Sequence, residues 1–306
     1  MSTFQEVPEI ERIDGLECIT DNQATFFLDN GYLILRNVLA SEELSRLQNV
    51  TEKLIKYGTE AVRDDPDYMY APGHKTGAPR LKRIEYIIDK TEEGKALLGH
   101  PFILRSVERI VGRDLLPTWD SMVLKLPEEG IVVPWHRDAG AAHVGDVPIF
   151  NVDFYLDEAD RDTCVWAYPG SHLWSQEQAD AVINRPGFET DGAVPLIMHP
   201  GDVLFHNILL LHGSPPNDSG KLRRVIYYEF RTAKVEAAKG PHTPEYIPLK
   251  QRVLCACIEH RKQASFAQGE KPFQYDPPEP FGLDGDGLGE PLLTYRYAHG
   301  DYWRKS

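Results

Sequence analysis

The chain is poor in several things, and each shortage removes a class of protein. It has only four cysteines in 306 residues, at positions 18, 164, 255 and 257. That is too few and too scattered for a disulfide framework. Cys255-Ala-Cys257 lacks a second pair to complete a metal or redox motif and sits in a helix-like stretch, so these read as unreactive structural thiols. A reduced, cytoplasmic setting follows. No run approaches the roughly 18 apolar residues of a membrane helix, and the polar, acidic amino terminus has no apolar signal region. Basic residues are outnumbered, 33 Lys and Arg against 47 Asp and Glu, for a formal net charge of −14. That balance excludes the basic footprint of a nucleic-acid-binding surface and offers no general attraction to anionic membranes. Local basic pockets for an anionic small molecule stay open. Internal repeats, low-complexity tracts and linker-like stretches are absent, so the whole chain reads as one domain.

What is present is an apolar fraction of 42%, enough for a core, in short segments divided by Gly and Pro. Residues 21–30 read as a helix with Asp21 as N-cap and Gly31 as its stop. A strand follows at 32–38, then a helix that Ser41 caps and that runs to about Tyr57. Residues 64–82 have no period; with Tyr68, Met69 and Tyr70 they read either as a loop capping a pocket or as a surface loop anchored by its tyrosines. A strand at 85–88 and helices at 91–98 and 101–111 complete an amino-terminal decoration of about 114 residues. Strands are then expected at 120–126, 131–135, 148–156, 163–168, 193–199, 203–211 and 225–231. Alternation along 148–156 puts Val152 and Phe154 inward and Asp153 outward, into solvent. Many short strands with Gly/Pro turns indicate a barrel or jelly roll, with its core at about 115–232. From about 233 the chain reads as an extension, with a helix at 249–268 and an aromatic tail (Phe281, Tyr295, Tyr297, Tyr302, Trp303) that either wraps the barrel or helps shape the substrate pocket, packing being the favoured role.

The chemistry-bearing stretch is Pro134-Trp-His-Arg-Asp-Ala-Gly140. On a strand, side chains two apart share a face, so His136 and Asp138 would converge on one point. Together with a third ligand they would make a two-His-one-carboxylate triad, which leaves coordination positions open on a non-haem iron. His212 is the candidate third ligand: it follows the apolar run 203–211 and precedes a turn. Eleven residues beyond it, Arg223 heads the last strand. A guanidinium there suits a carboxylate ligand, which it grips through two parallel hydrogen bonds.

This set resembles the phytanoyl-CoA dioxygenase family of Fe(II)/2-oxoglutarate oxygenases. Further stretches are similar to that family: 26–47, FFLDNGYLILRNVLASEELSRL; the turn at 125–130; and Pro169-Gly-Ser-His172. The resemblance covers about 23–232. It implies a mainly β fold with flanking helices, a double-stranded β-helix (jelly-roll, cupin-like) barrel. It implies Fe(II) held by His136, Asp138 and His212, with 2-oxoglutarate and dioxygen as cosubstrates. Arg223 would hold the distal carboxylate of 2-oxoglutarate, with Ser121 and Val152 nearby. The implied reaction is oxidation of an unactivated C–H bond of a small organic metabolite, coupled to decarboxylation of 2-oxoglutarate to succinate. Asp138 speaks against halogenation, since related halogenases replace that carboxylate with a small residue. Two departures from the family pattern stand out: Arg137, where many relatives carry Gln, and Asp162-Thr163 in place of Asn-Gly.

The adjacent Arg224 points to the other face of the strand and reads as a solvent or structural cation. His206 shares the facing of His212 and competes as a ligand only if a bulge intervenes. His172 reads as a structural hydrogen-bonder, and His74, His143 and His199 as possible substrate contacts. The aromatic loop and tail lean towards a hydrophobic substrate, and the net acidity leans away from a CoA ester. Two other readings remain: a cupin-like metal enzyme that does not use 2-oxoglutarate, and a non-catalytic ligand-binding barrel. Oligomeric state is not legible.

Overall fold

A computed structural model describes residues 15–138, 144 and 147–283. His143 and the aromatic tail beyond 283 therefore lie outside the described residues.

Helix α1, Asp21–Asn30, is closed by a capping box in which Thr20 and Gln23 satisfy each other's backbone N–H groups. The cap is thus one residue earlier than the expected Asp21. Gly31, at φ 78, ends it in the left-handed region. Strand β1, Tyr32–Leu35, leads to α2, Ser41–Glu60, whose N-cap is Ala40 rather than Ser41. The aperiodic aromatic stretch is not a loop. It forms a hairpin of β2, Tyr68–Pro72, and β3, Pro79–Glu85. Tyr68 is buried in the core and the Tyr70 hydroxyl donates to the Gly58 carbonyl, so its tyrosines tie it down on α2. Three helices follow: α3, Ile87–Lys90, α4, Glu92–Leu98, and α5, Pro101–Val111.

The barrel strands are β4, Leu115–Lys125, β5, Val133–His136, β6, Phe150–Tyr155, β7, Val165–Ala167, β8, Val194–Leu196, β9, Val203–Asn207, β10, His212–Ser214, and β11, Arg223–Thr232. Helix α6, Gln176–Ile183, lies between β7 and β8. The strands form two antiparallel sheets: a seven-stranded one ordered β1-β9-β6-β11-β4-β3-β2 and a four-stranded one ordered β5-β10-β7-β8. Together they make the expected jelly roll with flanking helices.

The large sheet is buried on both faces, so its strands do not alternate between core and water. One face packs on the helices through Val152, Phe154, Phe205, Ile226, Tyr228 and Phe230. The opposite face carries Asn151, Asp153, Tyr155, His206, Arg223, Tyr227 and Glu229 into a cavity between the sheets. This reverses the expected orientation of β6. Val152 and Phe154 turn away from the cavity, and Asp153 is a buried interior carboxylate.

The carboxy-terminal helices, α7, Ala233–Lys239, and α8, Tyr246–Gln263, pack on the helical side of the large sheet. Leu254, Cys257 and Ile258 of α8 join the same core as α2 and α4. Buried Arg261 bridges Glu43 of α2 at 2.6 Å and Glu270 at 2.7 Å. Arg224, on the face of β11 opposite to Arg223, is likewise structural: it makes paired hydrogen bonds to Asp157 at 2.8 and 2.7 Å. All four cysteines are free, and burial pushes the Cys257 thiol up. No helix among the described residues is long and apolar enough to cross a membrane.

Gly99, where α4 meets α8, has no room for a side chain: a Cβ there would lie 2.4 Å from the Cys257 carbonyl oxygen. Gly99→Ala should therefore push α8 off the core and lower stability by about 1–3 kcal/mol, read from urea unfolding. An unchanged midpoint would show that α8 is not held at this contact.

Candidate active site

Strand pairing builds the site. Antiparallel β10 and β5 set His212 directly opposite His136, 76 residues away in sequence, with ring centroids 4.3 Å apart. Asp138 does not reach them through the pleat, because β5 ends at His136. It sits in the irregular stretch beyond, where its N–H donates to the Ile208 carbonyl at 2.9 Å. Asp138 Oδ1 then lies 3.5 Å from His136 Nε2 and 3.8 Å from His212 Nε2. One donor atom from each residue falls within 4.8 Å of the other two, a set able to hold one metal ion.

The hydrogen bonds around these donors fit a metal. His136 Nδ1 lies 2.8 Å from the Pro134 carbonyl and His212 Nδ1 lies 2.9 Å from the Leu210 carbonyl. A carbonyl only accepts, so both Nδ1 atoms carry the proton and both Nε2 lone pairs face inward. Burial and the neighbouring His136 push His212 down to about 3, which keeps it neutral. Burial works to raise the Asp138 carboxyl, but the surrounding imidazoles hold it well below the usual range. Asp138 Oδ2 is turned away from the two ligand histidines. It accepts from Asn151 Nδ2 at 2.9 Å and lies 3.2 Å from His206 Nε2. His206 Nδ1 in turn lies 2.6 Å from Asp153 Oδ2. His206 is thus a support of the carboxylate, wedged between two acids, and they hold it up at about 10 against the burial that would lower it.

The cavity, about 640 Å³, is lined by this cluster and by Arg223, which is buried and so marks its inner end. There Arg223 donates to the Thr163 carbonyl at 2.7 Å, while its buried Nε has no hydrogen-bond partner among the described residues. Lys125, directly opposite in the β11–β4 register, donates to the Pro215 carbonyl. Burial and Arg223 push this lysine down to about 6. Arg223 forms no ion pair among the described residues, and Lys125 is largely neutral until an anion favours its protonated form, so this end of the cavity is fitted to an anion. Ser214, buried and two residues after His212, lines the cavity at this end. Sequence reading passed over Ser214 and Lys125. The spacing from His212 was the available signal for Ser214, since residues two apart on a strand share a face.

Other expected residues fall elsewhere. Ser121 pairs with Tyr227, and its hydroxyl accepts from Arg83 Nε at 2.8 Å. It is four residues along β4 from Lys125, roughly 13 Å at the usual strand rise. Arg137 does line the cavity, and it donates to the Ser171 and Trp174 carbonyls at 2.7 and 2.9 Å, bracing the Pro-Gly-Ser-His turn. His172 bonds the Leu28 carbonyl at 2.9 Å. His74 pairs with Asp218 at 2.7 Å, His199 is exposed, and neither lines the cavity.

Comparison with known proteins gives one family. The phytanoyl-CoA dioxygenase (PhyH) model matches residues 27–225. The human peroxisomal phytanoyl-CoA dioxygenase is 25% identical over 239 residues, which is 70% of this chain and 69% of that one. AviO1 from Streptomyces viridochromogenes Tue57 is 30% identical, with a TM-score of 0.59 over 69% of this chain and 94% of its own. EvdMO1 is 32% identical at the same TM-score of 0.59, and the chain spans 50% of its length. Two structures at 20% identity share the fold, with TM-scores of 0.57 and 0.55; one was solved with Fe, the other with nickel and 2-oxoglutarate.

The His206 support carries a pH signature in metal-free protein. A histidine raised from 6.5 to about 10 stabilises the fold fully below about 6.5 and loses that contribution as pH rises through 10. Thermal unfolding should show this decline, and Asp153→Asn should flatten it. Parallel pH profiles for the two proteins would contradict the assignment of His206 as a cation here.

Proposed function

The chain belongs to the phytanoyl-CoA dioxygenase family, and on that footing we propose that it oxidises an unactivated C–H bond of a small organic molecule, with His136, Asp138 and His212 as iron ligands and Arg223 as the cosubstrate anchor. It is a 2-oxoglutarate-dependent dioxygenase, and its cofactor set is Fe(II), 2-oxoglutarate and dioxygen. The observation that carries the residue assignment is the pairing of an inward-facing N,N,O donor set with an unneutralised cation at the inner end of the same cavity. A cupin-like enzyme without 2-oxoglutarate, or a ligand-binding barrel, would give that buried cation no task.

Bound iron with its two cosubstrates supplies the oxidising power, 2-oxoglutarate leaving as succinate and carbon dioxide. The protein's part is positional. The Pro134 and Leu210 carbonyls hold the Nδ1 protons, so that Nε2 of each ring is the atom turned to the metal position. Asn151 and His206 occupy Oδ2 of Asp138, which leaves Oδ1 for the metal. Arg223, with Lys125 and Ser214 beside it, fixes the far carboxylate of the cosubstrate and so the direction in which its other end approaches the triad. Three protein ligands leave the remaining positions to the cosubstrates. The same reading takes the chain as one oxygenase domain, with the carboxy-terminal helices part of its outer shell.

Anaerobic reconstitution with Fe(II) and 2-oxoglutarate should give a weak visible charge-transfer band that His136→Ala, Asp138→Ala and His212→Ala each abolish. A band that survives in all three refutes the ligand assignment. Arg223→Met should raise the KM for 2-oxoglutarate by about tenfold or more, the worth of a charge-assisted hydrogen bond. An unchanged KM would remove the anchor.

A further inference from the structure

Between the triad and the hairpin, the cavity wall is polar in a particular way: its main charges are already matched. Arg83 Nε lies 2.6 Å from Glu85 Oε1, and Glu85 is fully buried. Glu229 Oε1 is paired with buried Arg231 at 2.5 Å and accepts from Thr118. Arg231 is itself held by Glu236, which also bonds His242 at 2.7 Å. A matched ion pair exerts little net pull on a charged substrate, yet it keeps strong donors and acceptors in place.

Two such groups open to the cavity. Both Glu229 contacts use Oε1, so Oε2 has no protein partner among the described residues. The Tyr227 hydroxyl accepts from Arg83, so its own proton is left to donate. The two residues are two apart on β11 and share a face, so an acceptor and a donor project from the same side of the strand, with Cα atoms roughly 6.6 Å apart. Trp119, its Nε1 committed to Glu85 at 3.1 Å, adds an aromatic surface to the same wall.

Each candidate substrate class meets this wall differently. A hydrocarbon would cover the Glu229 oxygen and the Tyr227 proton without satisfying them, at the full cost of their desolvation. An anionic group would need an unmatched cation. The buried one that lines the cavity is Arg223, where the cosubstrate carboxylate belongs; Lys82 and Arg137 are partly exposed, and Arg137 is engaged by the Ser171 and Trp174 carbonyls. Hydroxyl groups satisfy both open atoms without carrying charge.

Resting on the oxygenase reading above, we propose that the molecule oxidised is neutral and rich in hydroxyl groups, of the sugar or polyol class. Glu229 accepts from its hydroxyls, Tyr227 donates to it, and Trp119 packs against its C–H face. This departs from the hydrophobic substrate towards which the aromatic residues lean in sequence.

The test is a screen for probe-stimulated succinate release by the Fe(II)-loaded protein with 2-oxoglutarate. Three probe sets are compared: methyl glycosides, disaccharides and cyclitols; acyl-CoA esters and alkylphosphonates; and long-chain alcohols and sterols. The hydroxyl-rich set should stimulate. For its best member, Tyr227→Phe and Glu229→Gln should raise KM about tenfold with little change in kcat. Glu229→Gln also removes a partner of buried Arg231, so Tyr227→Phe carries the result if that variant fails to fold. Stimulation by only the anionic or apolar sets, stimulation by none, or an unmoved KM in Tyr227→Phe overturns the substrate class. Iron-dependent succinate release without any probe reads the oxygenase assignment separately. If it is present while the hydroxyl-rich set fails, only the substrate class falls; if no succinate forms under any condition, the oxygenase reading falls with it.

Discussion

The register between β5 and β10 is the constraint on which the site depends. It places His136 and His212 face to face, and the backbone carbonyls two residues before each ring take the Nδ1 protons. A slip of one residue would turn every side chain of the short strand β10 to the opposite face. His212 and Ser214 would leave the cavity together. The rest of the large sheet then supplies what a pair of imidazoles lacks: an anionic oxygen kept single-faced by Asn151 and His206, and a cationic end to the cavity.

Placing these groups inside a barrel reverses the usual economy of a β protein. The interior holds charge, and the largest apolar cluster lies outside the barrel, where the large sheet meets the helices. Buried charges are tolerable only when matched or when a ligand completes them. Most are matched here: Arg83 with Glu85, Arg231 with Glu229 and Glu236, His206 with Asp153 and Asp138. Buried Arg223 has no ion pair among the described residues, and Lys125 opposite it is pushed towards the neutral form. That contrast separates the ligand-completed end of the cavity from its self-sufficient wall.

Motif spacing identified the triad and Arg223 from residue types and resemblance, and Gly/Pro punctuation marked out the barrel strands. The supports of the site were hidden. Asp153 looked like a solvated carboxylate, since alternation names two faces of a strand without saying which one meets the cavity. With helices covering the other side, the apolar face was the wrong guide: Val152 and Phe154 were read as facing the barrel interior, and they pack under the helices instead. The 68–85 hairpin was missed because edge strands broken by Pro and Gly lack a clean period. Its tyrosines earn their burial only against α2.

The sequence by itself determined the family, the residue types of the candidate ligand set and most of the strands of the barrel, because these rest on residue identity and local spacing. Tertiary structure alone decided that Asn151 and His206 contact Oδ2 of Asp138 while Oδ1 lies towards His136 and His212, that Lys125 pairs opposite Arg223, and that Ser214 lines the same cavity. Those outcomes follow from register between strands distant in the chain, and from which sheet face the helices cover. Neither is a local property of the chain.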